Sequence, residues 1–177
     1  MAEGGPGQGD LLLGIGNPLR GDDGVAALLL EELAVELGGW TTPAAELNAV
    51  HQLTPELALA VAAARRVLFV DAWVSSSAGE TSIERLAFIE PMALESVEPG
   101  WVDFGGHLLD PRQLLALAHR LYGWQGEASL LRVPAFAFPH GTGFSLPLRE
   151  GLPQARDLLR RWLRGGMIGV PRALRHG

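Results

Sequence analysis

Two adjacent carboxylates close a glycine-rich turn near the start of the chain. Residues 14–24, GIGNPLRGDDG, follow the apolar residues of a predicted strand and lead into a predicted helix. Turns of this kind commonly bind phosphate through the free N–H groups at the start of the helix. Here Asp22 and Asp23 place negative charge at that position, which would repel a phosphate. A cation is the better match, so the turn is a candidate cation site.

A third carboxylate ends a different predicted strand. Asp71 follows the apolar run Val67-Leu68-Phe69-Val70, and a carboxylate in that place is costly unless it is exposed, paired or bound to a metal. Because ligands of open α/β sheets bind at the carboxyl ends of the strands, we expect Asp22, Asp23 and Asp71 to converge there. Two of these residues also have a simpler structural interpretation: Asp22 could be the N-cap of the first helix, and Asp71 could cap the turn that follows it.

Five histidines could complete such a site. His51 follows the second predicted strand, His107 lies just before a predicted helix, and His140 lies in FPHGTGF after the last predicted strand. Each of these three can reach the strand ends, although a loop histidine is more often a surface residue. His119, within a helix, and His176, in the tail, are expected to be structural or solvated. Two carboxylates and one imidazole would form a three-ligand site with open positions, which suits nickel or zinc.

The elements that must position these residues alternate between strands and helices. This alternation predicts an α/β fold, a three-layer α/β/α arrangement with a twisted, mostly parallel sheet of about five strands. The predicted strands are 11–15, 44–49, 67–70, 82–88 and 130–136, and the predicted helices are 25–37, 54–66, 110–121 and 150–163.

Composition limits the function classes. The 177 residues predict a disordered tail over 1–10, a single domain over 11–164 and a C-terminal tail over 165–177. A net charge of -6 argues against nucleic acid as a partner, because phosphate contacts need clustered Lys and Arg. The chain has no cysteine, which excludes thiolate ligands and a thiol nucleophile. With no basic, apolar leader and no apolar run of spanning length, we expect a cytoplasmic protein that does not bind membranes.

Three motifs, in this order, resemble the hydrogenase maturation endopeptidases. They are GIGNPLRGDDG at 14–24, VLFVDA at 67–72 and GGHLLDPRQLLALA at 105–118. The resemblance implies a three-layer α/β fold and an endopeptidase that removes the C-terminal extension from the precursor large subunit of a nickel–iron hydrogenase. It also implies that nickel is supplied by this substrate after insertion, with no organic cofactor, and that the enzyme is a monomer.

The resemblance also assigns the site residues. By motif, Asp23, Asp71 and His107 occupy the metal-binding and catalytic positions of the family. Many members have Glu at the position of Asp23, which shortens the reach of this ligand here. FPHGTGFSLPL matches the family's last glycine-rich segment only loosely, so His140 is interpreted as a further substrate or supporting contact.

Other interpretations stay open. Asp23 or Asp71 could act as the general base on the attacking water instead of binding metal. A nickel-binding assembly chaperone would keep the same three ligands without cleaving. GIGNP also resembles the start of peptidyl-tRNA hydrolase, but the Thr-Arg-His-Asn segment expected after it is missing and the chain is acidic. The arginines of the last helix could form a solvated face or a docking surface for the large subunit.

Overall fold

The computed structural model of the chain describes residues 9–74, 81–86, 109–141 and 143–165. Two predicted candidates, His107 and His176, lie outside these residues. The strands are β1 (Gly9–Ile15), β2 (Ala45–Val50), β3 (Ala64–Val74), β4 (Ser82–Leu86) and β5 (Glu127–Ala135). The helices are α1 (Val25–Leu37), α2 (Leu57–Ala63), α3 (Pro111–Tyr122) and α4 (Leu146–Leu163), and Gly21–Gly24 form a short 3-10 turn before α1.

The strands form one sheet in the order β2-β1-β3-β5-β4. β1 pairs in parallel with β2 and β3, and β3 pairs in parallel with β5. Of the described strands, only β4, at one edge, runs antiparallel to its neighbour. The four parallel strands therefore end on the same side, which we call the carboxyl edge: the residues at and just beyond the C-terminal ends of β1, β2, β3 and β5. The predicted α/β fold with five mostly parallel strands is confirmed.

Helices cover both faces of the sheet. On one face, Leu12 and Leu68 pack with α1 and α4 in a single apolar cluster. On the other face, Leu13 and Phe69 pack with α2 and α3. Because successive side chains of a strand point to opposite faces, a central strand buried on both sides is continuously apolar, as β3 is from 67 to 70. These two clusters give the three predicted layers.

The start of the fold differs from the prediction. β1 begins at Gly9, two residues before the strand start predicted at residue 11. Asp10 is buried, and its carboxylate accepts hydrogen bonds from Arg65, at 3.1 Å, and from Arg66. The two arginines, predicted to end the second helix, are in fact the first charged residues of β3. The charge of Asp10 made this position look like part of the tail, because the arginines that pair with it lie more than fifty residues away in the sequence.

Helix starts show which local signals are sufficient. α3 begins within one residue of its predicted start at 110, where Asp110 is the N-cap and Gln113 completes a capping box with it. In contrast, α4 begins at Leu146 rather than at residue 150, with Ser145 as its N-cap. Pro147 lies in its first turn, where a missing N–H costs nothing because that group has no partner inside the helix. The second helix also starts later than predicted, at Leu57.

Two arginines of α4 are paired with α1. Arg156 forms a two-bond pair with Glu32 of α1, and Arg160 pairs with Glu36 in the same way. These contacts fasten α4 to α1 and neutralise the charges of Arg156 and Arg160, and the docking surface on this helix stays a prediction. None of the described helices is long and apolar enough to cross a bilayer.

The Asp10 cluster gives a test of how the start of the fold is held. Asp10→Asn removes the charge that pairs with Arg66, whose side chain is only 15% exposed, and we expect the free energy of unfolding to fall by about 3 kcal/mol. Glu127→Gln is the matched control, because it removes an exposed partner of Arg85 and should cost less than about 0.5 kcal/mol. Urea unfolding at pH 7 measures both. Equal losses in the two variants would contradict the structural role of Asp10.

Candidate active site at the carboxyl edge

The glycine-rich turn folds as a 3-10 turn and not as a capped helix start. The N-cap of α1 is Gly24, and no side chain caps it. The predicted role of Asp22 as an N-cap is therefore wrong. The physical reason is that Asp22 points away from α1, toward the loop that follows β5.

Asp22 is the anchor of this edge. Its buried carboxylate accepts hydrogen bonds from the N–H groups of Phe136, Ala137 and Ser145 and from the Ser145 hydroxyl, at 2.6–3.0 Å. Burial by itself would raise the pKa of Asp22, but the hydrogen bonds from Ser145, Phe136 and Ala137 outweigh it and lower the pKa. Asp22 is consequently ionised and fully occupied, which leaves it unavailable to a metal or a substrate.

Main-chain hydrogen bonds extend this contact between the two loops. The N–H of Gly21 donates to the carbonyl of Gly141, and the N–H of Gly141 donates to Leu19. Gly21 has a φ of +56°, and a Cβ there would lie 2.8 Å from the carbonyl oxygen of Ala137. Only glycine meets both conditions. Main-chain hydrogen bonds thus join the turn after β1 to the loop after β5.

Asp23 faces the opposite way from its neighbour. It is only partly buried, and its Oδ2 accepts a hydrogen bond of 2.8 Å from the N–H of Asn17. Gly16, with a φ of +140°, makes this fold-back possible: a Cβ at this position would lie 2.0 Å from the carbonyl oxygen of Asp23. The 3-10 turn also lies against β3. This arrangement brings the Asp23 carboxylate to the end of β1 and β3.

Asp71 meets Asp23 at this point. It pairs in register with Ile15, the last residue of β1. Burial and the negative charge of Asp23 raise the pKa of Asp71, the Ala72 N–H and Arg132 lower it, and the net result is a pKa of about 6. Of the three aspartates expected to converge, Asp23 and Asp71 do so, whereas Asp22 is hydrogen-bonded to the loop after β5. Because two neighbouring negative charges repel each other, such a pair of carboxylates favours the binding of a proton or a metal cation between them.

Sequence reasoning missed the neighbours of Asp71. Arg132 of β5 lies opposite it in the register of the parallel pair. The guanidinium lies 4.4 Å from the ring centre of Trp73 and 3.1 Å from Oε1 of Glu84. The available signal was the single arginine in the otherwise apolar run Leu130-Leu131-Arg132-Val133, which a buried strand tolerates only when the charge has a partner.

The three described histidines lie on loops or on a helix. His51 and His140 are exposed on loops at the carboxyl edge. Nδ1 of His119 lies 2.9 Å from the Trp124 carbonyl, which agrees with the predicted structural role. Within residues 9–74, 81–86, 109–141 and 143–165, no group of three or more His, Asp or Glu side chains is arranged to hold a metal. The site described so far thus contains two carboxylates, and the predicted third ligand, His107, lies outside the described residues.

Fold and edge together define an α/β protein whose parallel strands present acidic residues at their carboxyl ends. The chain is similar to solved hydrogenase maturation proteases. It matches the [NiFe] hydrogenase maturation protease HycI from Thermococcus kodakarensis with a TM-score of 0.61 and 19% identity, over 89% of this chain and 93% of that one. It matches the hydrogenase maturating endopeptidase HybD from E. coli with a TM-score of 0.61 and 22% identity, over 93% and 98%.

A solution structure of the endopeptidase HycI from E. coli gives a TM-score of 0.57 and 19% identity, over 95% of this chain and 99% of that one. No protein-family model and no curated protein matches the sequence. At these identities the likeness establishes a shared fold over nearly the whole length. The activity has to be argued from the site.

The contrast between the adjacent aspartates can be tested. Asp22→Asn replaces two acceptor oxygens with one and turns an amide N–H₂ toward buried donors, so we expect it to lower the free energy of unfolding by about 3 kcal/mol. Asp23→Asn removes one of two repelling charges and should change stability by less than about 1 kcal/mol. Urea unfolding at pH 7 measures both variants. The assignment of Asp22 as the anchor fails if both variants unfold at the same denaturant concentration.

Asp71 gives a pH-dependent prediction. The folded state raises its pKa from 3.8 to about 6, so the folded chain holds this proton more tightly than the unfolded chain. Ionisation therefore costs stability, and this cost appears between the two pKa values as the pH rises. Above pH 6, the free energy of unfolding of Asp71→Asn should exceed that of the wild type by about 2–3 kcal/mol. The difference should vanish below pH 4; a difference independent of pH would contradict the raised pKa.

Proposed function

We propose that the chain is an endopeptidase that removes the C-terminal extension from the precursor large subunit of a nickel–iron hydrogenase. The observation that carries the proposal is the convergence of Asp23 and Asp71 at the carboxyl edge. Supporting it, the fold is that of solved structures named as maturation proteases. The chain covers nearly the full length of those structures, so the proposal needs no additional domain.

We further propose that the two carboxylates recognise the nickel already inserted in the precursor. Carboxylate oxygen and imidazole nitrogen are suitable ligands for a borderline divalent ion. His107 would supply the imidazole, as the sequence resemblance implies. Nickel is then part of the substrate, and its charge relieves the repulsion between Asp23 and Asp71. A precursor that lacks nickel offers no such gain, which makes binding depend on complete metal insertion.

The hydrolysis itself needs an oriented peptide bond and an activated water. Binding nickel fixes the precursor relative to the protease and so converts the attack into an effectively intramolecular step. A site carboxylate also serves as the general base on the attacking water. Asp71 is the better candidate for this additional role, because Asp23 already accepts a hydrogen bond from Asn17. The predictions that the chain is monomeric and cytoplasmic stay untested.

Cleavage of the natural precursor tests the proposal. The protein is incubated anaerobically with the large-subunit precursor, nickel-loaded or nickel-free, and intact mass is followed over time. We expect loss of a C-terminal peptide from the loaded precursor only. Asp23→Ala, Asp71→Ala and His107→Ala should each lower the rate at least about 100-fold, because each removes a ligand or a proton acceptor.

Asp157→Ala is the matched control for these variants. It removes an exposed carboxylate on α4 that pairs with Arg161, away from the carboxyl edge, and it should cleave at the wild-type rate. If the wild type binds the loaded precursor without cleaving it, the chain is an assembly chaperone. Equal cleavage of the loaded and the nickel-free precursor would support the endopeptidase proposal and contradict the proposal that the site recognises nickel.

A further inference from the structure

Arg132 is a cation fixed next to the proposed site. It lies opposite Asp71 on the neighbouring strand, and residues opposite each other in a parallel pair share a face of the sheet. Trp73 extends the same face of β3, two residues beyond Asp71, and its ring lies 4.4 Å from the guanidinium carbon. The stacked indole and the ion pair with Glu84 hold the guanidinium at the carboxyl edge.

The guanidinium has hydrogen-bond donors to spare. Arginine has five N–H donors in a planar fork. Its nitrogen lies 3.1 Å from Glu84 Oε1, yet that oxygen has no hydrogen-bond partner, so the contact is a charge pair without hydrogen-bond geometry. Among the described residues, the Arg132 side chain makes no hydrogen bond, and it is 34% exposed. Its donors are therefore accessible to an incoming ligand.

The charge balance of the site indicates what that ligand is. Peptide hydrolysis builds negative charge on the carbonyl oxygen, and fixed donors that stabilise this charge are a major source of rate. Asp23 and Asp71 cannot provide this stabilisation, since both carry negative charge or accept protons. Arg132 is the described cation that acts electrostatically on Asp71, where it lowers the pKa against burial and Asp23.

We propose that Arg132, positioned by Trp73, donates hydrogen bonds to the carbonyl oxygen of the peptide bond that is cleaved. This inference rests on the proposed endopeptidase function. Addition of water forms a C–O bond and moves the carbonyl electron pair onto the oxygen, where Arg132 stabilises the charge. Collapse of this intermediate breaks the C–N bond. One water proton, carried by a site carboxylate, ends on the leaving nitrogen, and the other stays with the new carboxyl group.

The test separates catalysis from binding. Single-turnover cleavage of the nickel-loaded precursor is measured at saturating enzyme, and the affinity for the same precursor is measured separately. Arg132→Gln should lower the rate constant about 100-fold while the affinity stays within about 3-fold. Arg132→Lys keeps the charge and should restore part of the rate. Trp73→Leu, which removes the stacking support, should lower the rate to an intermediate extent.

Arg85→Gln is the matched control. Arg85 lies on the neighbouring strand β4, in an exposed ion pair with Glu127 at the opposite end of β5, and its variant should cleave like the wild type. Wild-type cleavage by Arg132→Gln overturns the inference, and so does a loss confined to affinity. Thermal melting shows that the variants are folded; if Arg132→Gln is not, the Lys variant decides, because full activity would overturn the donor geometry. If the wild type itself fails to cleave, the endopeptidase proposal falls, and this inference falls with it.

Discussion

The carboxyl edge depends on the hydrogen bonds of one buried carboxylate. Asp22 joins the turn after β1 to the first residues of α4, because Ser145 both donates to Asp22 and caps that helix. A buried ion is stable only when its lone pairs are filled, and here four donors fill them. The interaction is local in space but spans more than one hundred residues of sequence, so it fixes the relative position of two elements that could otherwise move independently.

This anchor explains why the chain has two adjacent aspartates. Asp22 is occupied by structure, and its position directs Asp23 to the other side of the 3-10 turn, toward Asp71. A single aspartate could not satisfy the buried donors and also reach the strand ends. The ionised form is therefore favoured at the structural residue and disfavoured at the proposed site: the pKa of Asp22 is lowered, whereas the pKa of Asp71 is raised. Strongly raised pKa values of carboxylates in clefts are typical of functional sites.

The sequence predicted those features that arise from local patterns. The apolar run before Asp71 identified a central strand, and Asp110-Pro111 identified the start of α3, because both signals lie within a few residues. The convergence of Asp23 with Asp71 followed from the rule that parallel strands end at one edge. What failed depended on distant partners. Asp10 is buried because of Arg65 and Arg66, and Asp22 is occupied because of the loop after β5. The partnership of Arg132 with Trp73 depends on the register of two strands, which the spacing of residues along the chain does not reveal.

The arrangement at the carboxyl edge is consistent with a protease that recognises a metal ion bound to its substrate. Selectivity for the nickel-loaded precursor depends on the difference in binding free energy between the loaded and the nickel-free precursor. Below about pH 6, the proton held by Asp71 competes with a metal ion at this site. The precursor can offset this cost by contributing its own contacts around the ion. In the proposed enzyme, the repulsion between Asp23 and Asp71 is therefore a source of selectivity, and Asp22 is what allows the fold to hold it in place.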